Sequence, residues 1–317
     1  MAANVETMAY VSNAENGRFV PWHGLGTPVE KALTSAEALE MAGLNWTVDP
    51  HPVFTDNGIQ IPGYVANTRS SDNSVLGIVS DKYKIVQNAE AFQFTDNLIG
   101  DDVRYETAGS LRNGKSIWLL AQMPKQRILG DDVQPYMCFT NTHDGTGAIK
   151  VCMTPIRVVC NNTLNLALEQ AKRVWTCRHM GRIEDKLAEA EETLELSHKY
   201  MAELGTMAER LANMPLKDEE IYKIVAEMFP VNQDEQSHRQ LANMEKARTE
   251  FMIAYYMPDI EQFRNTAWGL VNAASDFIGH SSPQRNTNTY QERNFERIIY
   301  GHPMMDALLA RCQSTNA

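Results

Sequence analysis

Phe139-Thr-Asn-Thr-His-Asp-Gly-Thr-Gly-Ala-Ile-Lys-Val-Cys-Met-Thr-Pro-Ile-Arg-Val-Val-Cys-Asn-Asn-Thr-Leu-Asn165 reads as a strand, a tight turn, a second strand and the start of a helix. Asp144-Gly145 lies between two β-rich runs, the usual signal for a hairpin with φ > 0 at the glycine. Cys160-Asn161-Asn162-Thr163 closes the second strand and offers side-chain oxygens to cap a helix beginning near Leu164. Free N–H groups at a helix start suit an anion. Asn141, His143, Asn161, Asn162 and Thr163 are therefore expected to form either a phosphate-holding corner or a purely structural one.

Working outward, residues up to about 180 alternate short β-rich runs with turns: Asn45–Phe54, Ile59–Thr68, Ser74–Val79, Ser116–Pro124, Pro135–Thr142 and Ala148–Val159. Helical patterns interrupt them at Ser35–Ala42, with Ser35 as cap, and at Asn88–Ile99. Asn57-Gly58 and Asn113-Gly114 are further hairpin turns, which favours antiparallel pairing. From Arg182 the β signal fades into a long amphipathic helix, Arg182–Ala212, and Pro215, Pro230 and Pro258 punctuate shorter helices after it. The expected fold is α+β: a twisted, largely antiparallel sheet with packed helices over 1–180, then a helical region over 181–317. No obvious charged or proline-rich guard covers the run Ala148–Val159, so it is expected to be an open sheet edge through which copies of the chain associate.

The chain has 317 residues, 43% of them hydrophobic, enough to bury a substantial core. No run approaches the roughly 18 apolar residues of a membrane span, and Met1–Asn16 lacks the pattern of a signal peptide; a cytoplasmic protein without membrane contact is expected. The five cysteines, Cys138, Cys152, Cys160, Cys177 and Cys312, lack zinc-site spacing and read as reduced core thiols. No metal or cofactor motif is present.

Net charge is −11 overall, yet Thr107–Ile183 holds ten basic residues against four acidic ones, so this stretch is +6 and the remainder −17. Local potential, rather than total charge, governs phosphate binding. Arg112, Lys115, Lys125, Arg127, Lys150, Arg157, Lys172, Arg173 and Arg178 are the candidate nucleic-acid contacts, and Trp175, set among bases, is a candidate for stacking a nucleobase. A second chemistry is a thiol enzyme: Cys160 as nucleophile, His143 or His179 as base, Asn161 or Asn162 as orienter. A cysteine ending an apolar Val158-Val159 strand is more often packed than reactive. His23, between Trp22 and Gly24, fits a chain reversal better than a ligand. Downstream, Asn265, Trp268, Asn272, Asp276 and His280 recur at helical spacing as a polar stripe, expected to meet another part of the protein or a neighbouring subunit.

Three signatures in order, Trp22-His-Gly-Leu-Gly-Thr27, the Asn141–Asn165 block with Arg157-Val-Val-Cys-Asn-Asn-Thr163, and Thr266-Ala-Trp-Gly-Leu-Val-Asn-Ala273, resemble the phage- and plasmid-borne family called domain of unknown function 932. The resemblance implies a mobile-element context, near genes that handle single-stranded DNA. The element order over 116–172 is also similar to the β-β-β-α core of single-strand annealing recombinases. The reading that follows is a single-stranded-DNA-binding or annealing protein that self-associates and needs no catalytic residue or cofactor. Two rivals belong to other classes: an interaction protein that inhibits a host factor through its acidic surface, and the small-substrate enzyme at Cys160.

Overall fold

The computed structural model describes residues 8–11, 27–29, 33–99, 105–157, 162–163, 174–232, 234–280, 299 and 301–314. In chain order the elements are β1 (Met8–Val11), β2 (Thr27–Val29), α1 (Ser35–Met41), β3 (Val48–Phe54), β4 (Gln60–Arg69), β5 (Val75–Ser80), α2 (Asn88–Ile99), β6 (Tyr105–Leu111), β7 (Ser116–Gln122), β8 (Gln126–Ile128), β9 (Asp131–Thr142), β10 (Ile149–Arg157), β11 (Asn162–Thr163), β12 (Val174–Cys177), α3 (Leu187–Ala212), α4 (Asp218–Met228), α5 (His238–Tyr255), α6 (Ala267–His280) and α7 (Pro303–Ser314), with 3-10 turns at Glu184–Lys186 and Pro258–Phe263. The fold is α+β, with a helical C-terminal region.

Contacts divide the chain into two compact units. Unit 1 comprises Met1–Pro124, Tyr136–Met153 and Lys172–Ser197; unit 2 comprises Lys125–Pro135, Thr154–Ala171 and His198–Ala317. A single cut after residue 180 therefore does not describe the division. The reason lies in the length of two strands, β9 and β10, whose opposite ends pair with different neighbours. The start of β9 pairs with β8 and its end with β7, while β10 pairs first with β12 and then with β11. This pairing also corrects the expected open edge at 148–159: β10 lies between β9 on one side and β12 and β11 on the other.

In unit 1 the larger sheet runs β2-β1-β6-β7-β9-β10, with β12 beyond β10. β1 and β2 are parallel, whereas β1–β6, β6–β7, β7–β9 and β10–β12 are antiparallel. One face carries Tyr105, Ala108, Ile117, Leu119, Met137, Phe139, Ile149 and Val151 into a core with Leu33, Trp46, Phe92, Phe94 and Trp175. Every residue of β6 is buried, so its Tyr-Glu-Thr-Ala-Gly-Ser-Leu sequence shows none of the alternation that marks a half-exposed strand. α1 begins at Thr34, whose backbone N–H and hydroxyl both donate to the Glu37 carboxylate at 2.9 Å; Thr34, rather than Ser35, is the cap.

A second sheet, β3-β4-β5, is antiparallel throughout. β3 carries Pro50 and Pro52 at its outer edge, where a missing N–H costs no ladder bond. Its third strand approaches the β9–β10 turn so closely that a Cβ on Gly77 would stand 2.5 Å from the Asp144 Cα. Gly145, at φ +75°, is the turn glycine the sequence called for.

Unit 2 is built around α6. Ala267–Ser275 are all buried, so this part of the helix is enclosed on every side, covered by the 3-10 turn before it and by α5 and α7. Gly269 lets it lie against the Phe263 carbonyl, which a Cβ would strike. Phe229, Phe251 and Phe277 stack edge to face beside it. The expected polar stripe is thus satisfied within the chain. Trp268 is buried, Asn272 donates to the Trp268 carbonyl at 2.8 Å, Asp276 pairs with His280, and Asn265 donates to Asp218 at 3.0 Å. No described helix is long and apolar enough to cross a membrane.

Candidate functional site

Four separate segments of unit 1 meet at the turn end of its larger sheet. The His143 N–H donates to the Lys115 carbonyl at 2.8 Å, tying the β9–β10 turn to the β6–β7 turn. Tyr83, after β5, donates its hydroxyl to the Thr142 carbonyl. Lys84 and His179 are joined by a bond from the Lys84 N–H to the His179 carbonyl at 3.0 Å and one from the His179 ring to the Lys84 carbonyl at 2.9 Å. The Tyr83 and His179 rings stack at 4.3 Å and 17°.

Behind this surface lies a buried polar network. Asn88, the first residue of α2, donates its amide to the Leu44 and Trp46 carbonyls at 2.9 and 3.3 Å, which leaves its oxygen to face His143 Nε2 at 3.1 Å. That oxygen can only accept, so His143 carries its proton on Nε2 and leaves Nδ1 bare. Asn67 donates to the His143 carbonyl at 2.8 Å, Asn141 to the Val86 carbonyl at 3.0 Å, and the Trp46 ring meets the His143 imidazole edge-on at 5.5 Å. Burial, reinforced by the nearby His179, pushes the His143 pKa down to about 3; burial also lowers that of His179. Both rings are neutral at physiological pH.

With His179 Nδ1 donating to Lys84, each imidazole keeps one acceptor nitrogen. His143 Nδ1, His179 Nε2, Asn67 Oδ1 and Asn141 Oδ1 are all buried without a protein partner, and all four are acceptors. These four atoms can each receive a proton donor. Among the described residues no group of three or more His, Cys, Asp or Glu could hold a metal ion.

The rim of the same end is cationic. Lys82, Lys84 and Arg178 are exposed and flank the Tyr83–His179 stack in sequence, while Arg112 and Lys115 are half-buried on the adjoining turn. Arg112 lies 3.8 Å from Asp144 and 3.5 Å from the Thr146 hydroxyl.

Of the residues singled out from sequence, Asn141, His143, Arg112, Lys115 and Arg178 come together at this end. Lys150 is on β10, half-buried. Lys125 and Arg127 belong to unit 2, where Arg127 lies 3.9 Å from Asp132 and donates to the Gly130 carbonyl at 3.2 Å. Trp175 is a core residue, 6% exposed on β12 and stacked on Phe94 at 5.8 Å, so no nucleobase can reach its ring. Asn162 and Thr163 form β11, paired with Arg157 and Ile156, in place of the expected helix cap; their backbone serves a strand ladder. His23, Cys160, Asn161, Lys172, Arg173 and the helix start near Leu164 lie outside the described residues, as do the side chains of Arg157, Asn162 and Thr163. Cys177, a described thiol near His179 in sequence, has its pKa raised by burial, and its Sγ contacts the Arg178 carbonyl at 3.2 Å, the character of an unreactive cysteine.

Sequence reasoning missed Tyr83, Asn67 and Asn88. Tyr83-Lys84, an aromatic between Lys82 and Lys84, is the signal that could have found the first. The two asparagines join the site through contacts 76 and 55 residues apart, which no local pattern encodes.

No curated protein and no solved structure matches the chain. The model of the family described as domain of unknown function 932 matches residues 75–299, which takes in β5, the segments of the turn end from Tyr83 to His179, though not Trp46 and Asn67, and the helices through α6. The chain belongs to that family.

Proposed function

We propose that this protein binds single-stranded nucleic acid at the turn end of unit 1, by backbone electrostatics and base stacking, without bond-making chemistry. One observation carries the reading: the half-buried Tyr83 ring, backed by the buried His179 imidazole, is flanked by three exposed cations, Lys82, Lys84 and Arg178. Aromatic rings between phosphate-binding side chains are the common device of single-strand binding, because every base offers a π-face and every nucleotide a charge. Arg112 and Lys115, from the basic stretch Thr107–Ile183, extend the rim. The reading requires neither a ring nor a filament of subunits.

A mobility-shift titration with a labelled single-stranded oligonucleotide across a salt series tests it. The apparent affinity should fall steeply as salt rises, and Lys84→Glu combined with Arg178→Glu should weaken binding at least tenfold at low salt. Tyr83→Phe should retain binding, whereas Tyr83→Leu, which removes the ring, should lose about 1–3 kcal/mol per stacked base. Equal affinity of the double variant and the parent protein, with circular dichroism unchanged, would overturn the proposal.

A further inference from the structure

A different surface, on unit 2, points to a protein ligand. α4 and α5 enclose an open groove of about 820 Å³, lined by Tyr222, Val225, Met252, Ile253, Tyr256 and Met257. Four of these large side chains are left bare: Ile253 is 60% exposed, Tyr222 53%, Tyr256 48% and Met257 43%. Scattered apolar residues are ordinary on a surface, but a contiguous set lining one concave strip between two helices marks a binding face.

The groove is held open by hydrogen bonds that leave its apolar side chains free. The Arg248 guanidinium donates to the Phe229 carbonyl at 2.9 Å and to the Ala226 carbonyl at 3.2 Å, fixing α5 to the end of α4. Tyr222 and Tyr256 share a hydroxyl contact at 3.2 Å, and Arg264 donates to the Tyr256 carbonyl at 2.9 Å while lying over its ring at 5.3 Å. A preformed groove saves the ordering entropy that a collapsed surface would demand of a ligand.

Charge decides what fits. Asp218–Arg264 carries ten acidic and five basic residues, and two of the basic ones, Arg248 and Arg264, spend their guanidinium donors on backbone carbonyls. Glu219 and Glu245 are exposed three residues before lining positions, as are Lys223 and Lys246, of which Lys246 is paired with Glu250 at 3.6 Å. The acidic character of the surroundings therefore rests on the excess of ten acids over five bases. An apolar strip with acidic surroundings is complementary to a helix that is apolar on one face and basic on its flanks. A small-molecule site would need convergent polar groups to orient its ligand, and the one charged lining side chain, Arg248, is already committed.

We propose that the α4–α5 groove docks a basic amphipathic helix of a partner protein. The inference is independent of nucleic-acid binding by unit 1. It is tested with a fluorescein-labelled model peptide of about five helical turns, Leu at i, i+3, i+4 and i+7 and Lys elsewhere, titrated by anisotropy against the full chain. Three controls accompany it: the same composition scrambled, a Leu/Glu version, and the Ile253→Asp protein, whose substitution is on an exposed side chain and should leave circular dichroism unchanged. The expected result is saturable binding of the Leu/Lys helix that weakens at least tenfold for each control. Equal binding of the scrambled peptide would reduce the effect to bulk charge, equal binding by Ile253→Asp would place it elsewhere on the protein, and self-association abolished by Ile253→Asp would assign the groove to a second copy; each overturns the proposal.

Discussion

The turn end of unit 1 and the α4–α5 groove of unit 2 depart from the usual partition of side chains in opposite directions. At the first, two imidazoles and three asparagine amides are buried; at the second, two tyrosines, an isoleucine and a methionine are left in water. Buried polar groups are costly unless bonded, and four acceptor atoms at the turn end have no protein donor. Exposed apolar groups cost less, but a continuous strip of them invites association. The contrast separates two kinds of site: one is rigid because its polar groups tie four chain segments together, the other is available because its apolar side chains stand exposed to water.

The largest expected effects come from the glycines that allow each region its close approach. Gly269→Ala would drive a methyl into the Phe263 carbonyl, and Gly77→Ala would set one 2.5 Å from the Asp144 Cα. Both obstacles are backbone, so neither yields by a rotamer change, and each substitution should destabilise by about 3 kcal/mol or more. Chemical denaturation reads the loss. If the two regions are locally determined, Gly77→Ala should impair oligonucleotide binding and spare peptide binding, with Gly269→Ala doing the reverse.

Asn88→Ala is next in size. One side chain satisfies the Leu44 and Trp46 carbonyls and His143 Nε2, so its removal strands a buried donor and two acceptors. A loss of about 2–3 kcal/mol is expected, readable as a lower midpoint in urea with an unchanged slope. Asn88→Asp restores an acceptor for His143 but turns a buried carboxylate oxygen toward the Leu44 and Trp46 carbonyls, so it should be no more stable than Asn88→Ala.

Hairpins at Asn57-Gly58, Asn113-Gly114 and Asp144-Gly145 were readable because a glycine with positive φ is demanded locally; all three adopt it, at +78°, +82° and +75°. Asn88–Ile99 likewise has the bounds its pattern predicts. β6 and β12 escaped the reading because burial on both faces, or a length of four residues, erases alternation. The site was half readable. His143 and Asn141 stood out as polar residues where a core hairpin should have none, but Trp175 misled, since an aromatic among bases looks the same whether it faces a ligand or Phe94. Which side of a strand a ring occupies depends on register, and register was set here by β10, twenty-odd residues earlier in the chain.

Acid should loosen the turn end before it affects the groove. Both histidines have lowered pKa values in the fold, that of His143 to about 3, while the unfolded chain takes up their protons near the ordinary value of about 6.5. Between those limits the unfolded state binds more protons. Stability is therefore complete above about pH 6.5 and falls as pH drops, by up to about 1.4 kcal/mol per pH unit for His143 alone. Urea midpoints measured from pH 7.5 to 5 should fall accordingly, and His143→Gln should flatten the slope. A profile independent of pH in the parent protein would show that the imidazole is not held neutral.

The smallest effect, and of opposite sign, belongs to Glu106. Its carboxylate is buried on β6, accepting from the Gln122 amide at 2.7 Å and held against Tyr136, and burial raises its pKa above the ordinary range. A raised carboxyl pKa favours the fold below its unfolded value of about 4.3 and withdraws that advantage as pH climbs through the folded value. At pH 7 the ionised form is thus a burden on the sheet. Glu106→Gln keeps the shape and removes the charge, so it should be neutral or stabilising by about 1 kcal/mol at pH 7, and should lose that advantage below pH 4. The amide must now offer its oxygen to Gln122, which caps the gain. Because Glu106 sits at the opposite end of β6 from the histidine corner, the substitution should leave oligonucleotide affinity unchanged. A fall in affinity with stability intact would extend the binding face along the sheet and undo the assignment of binding to the turn end alone.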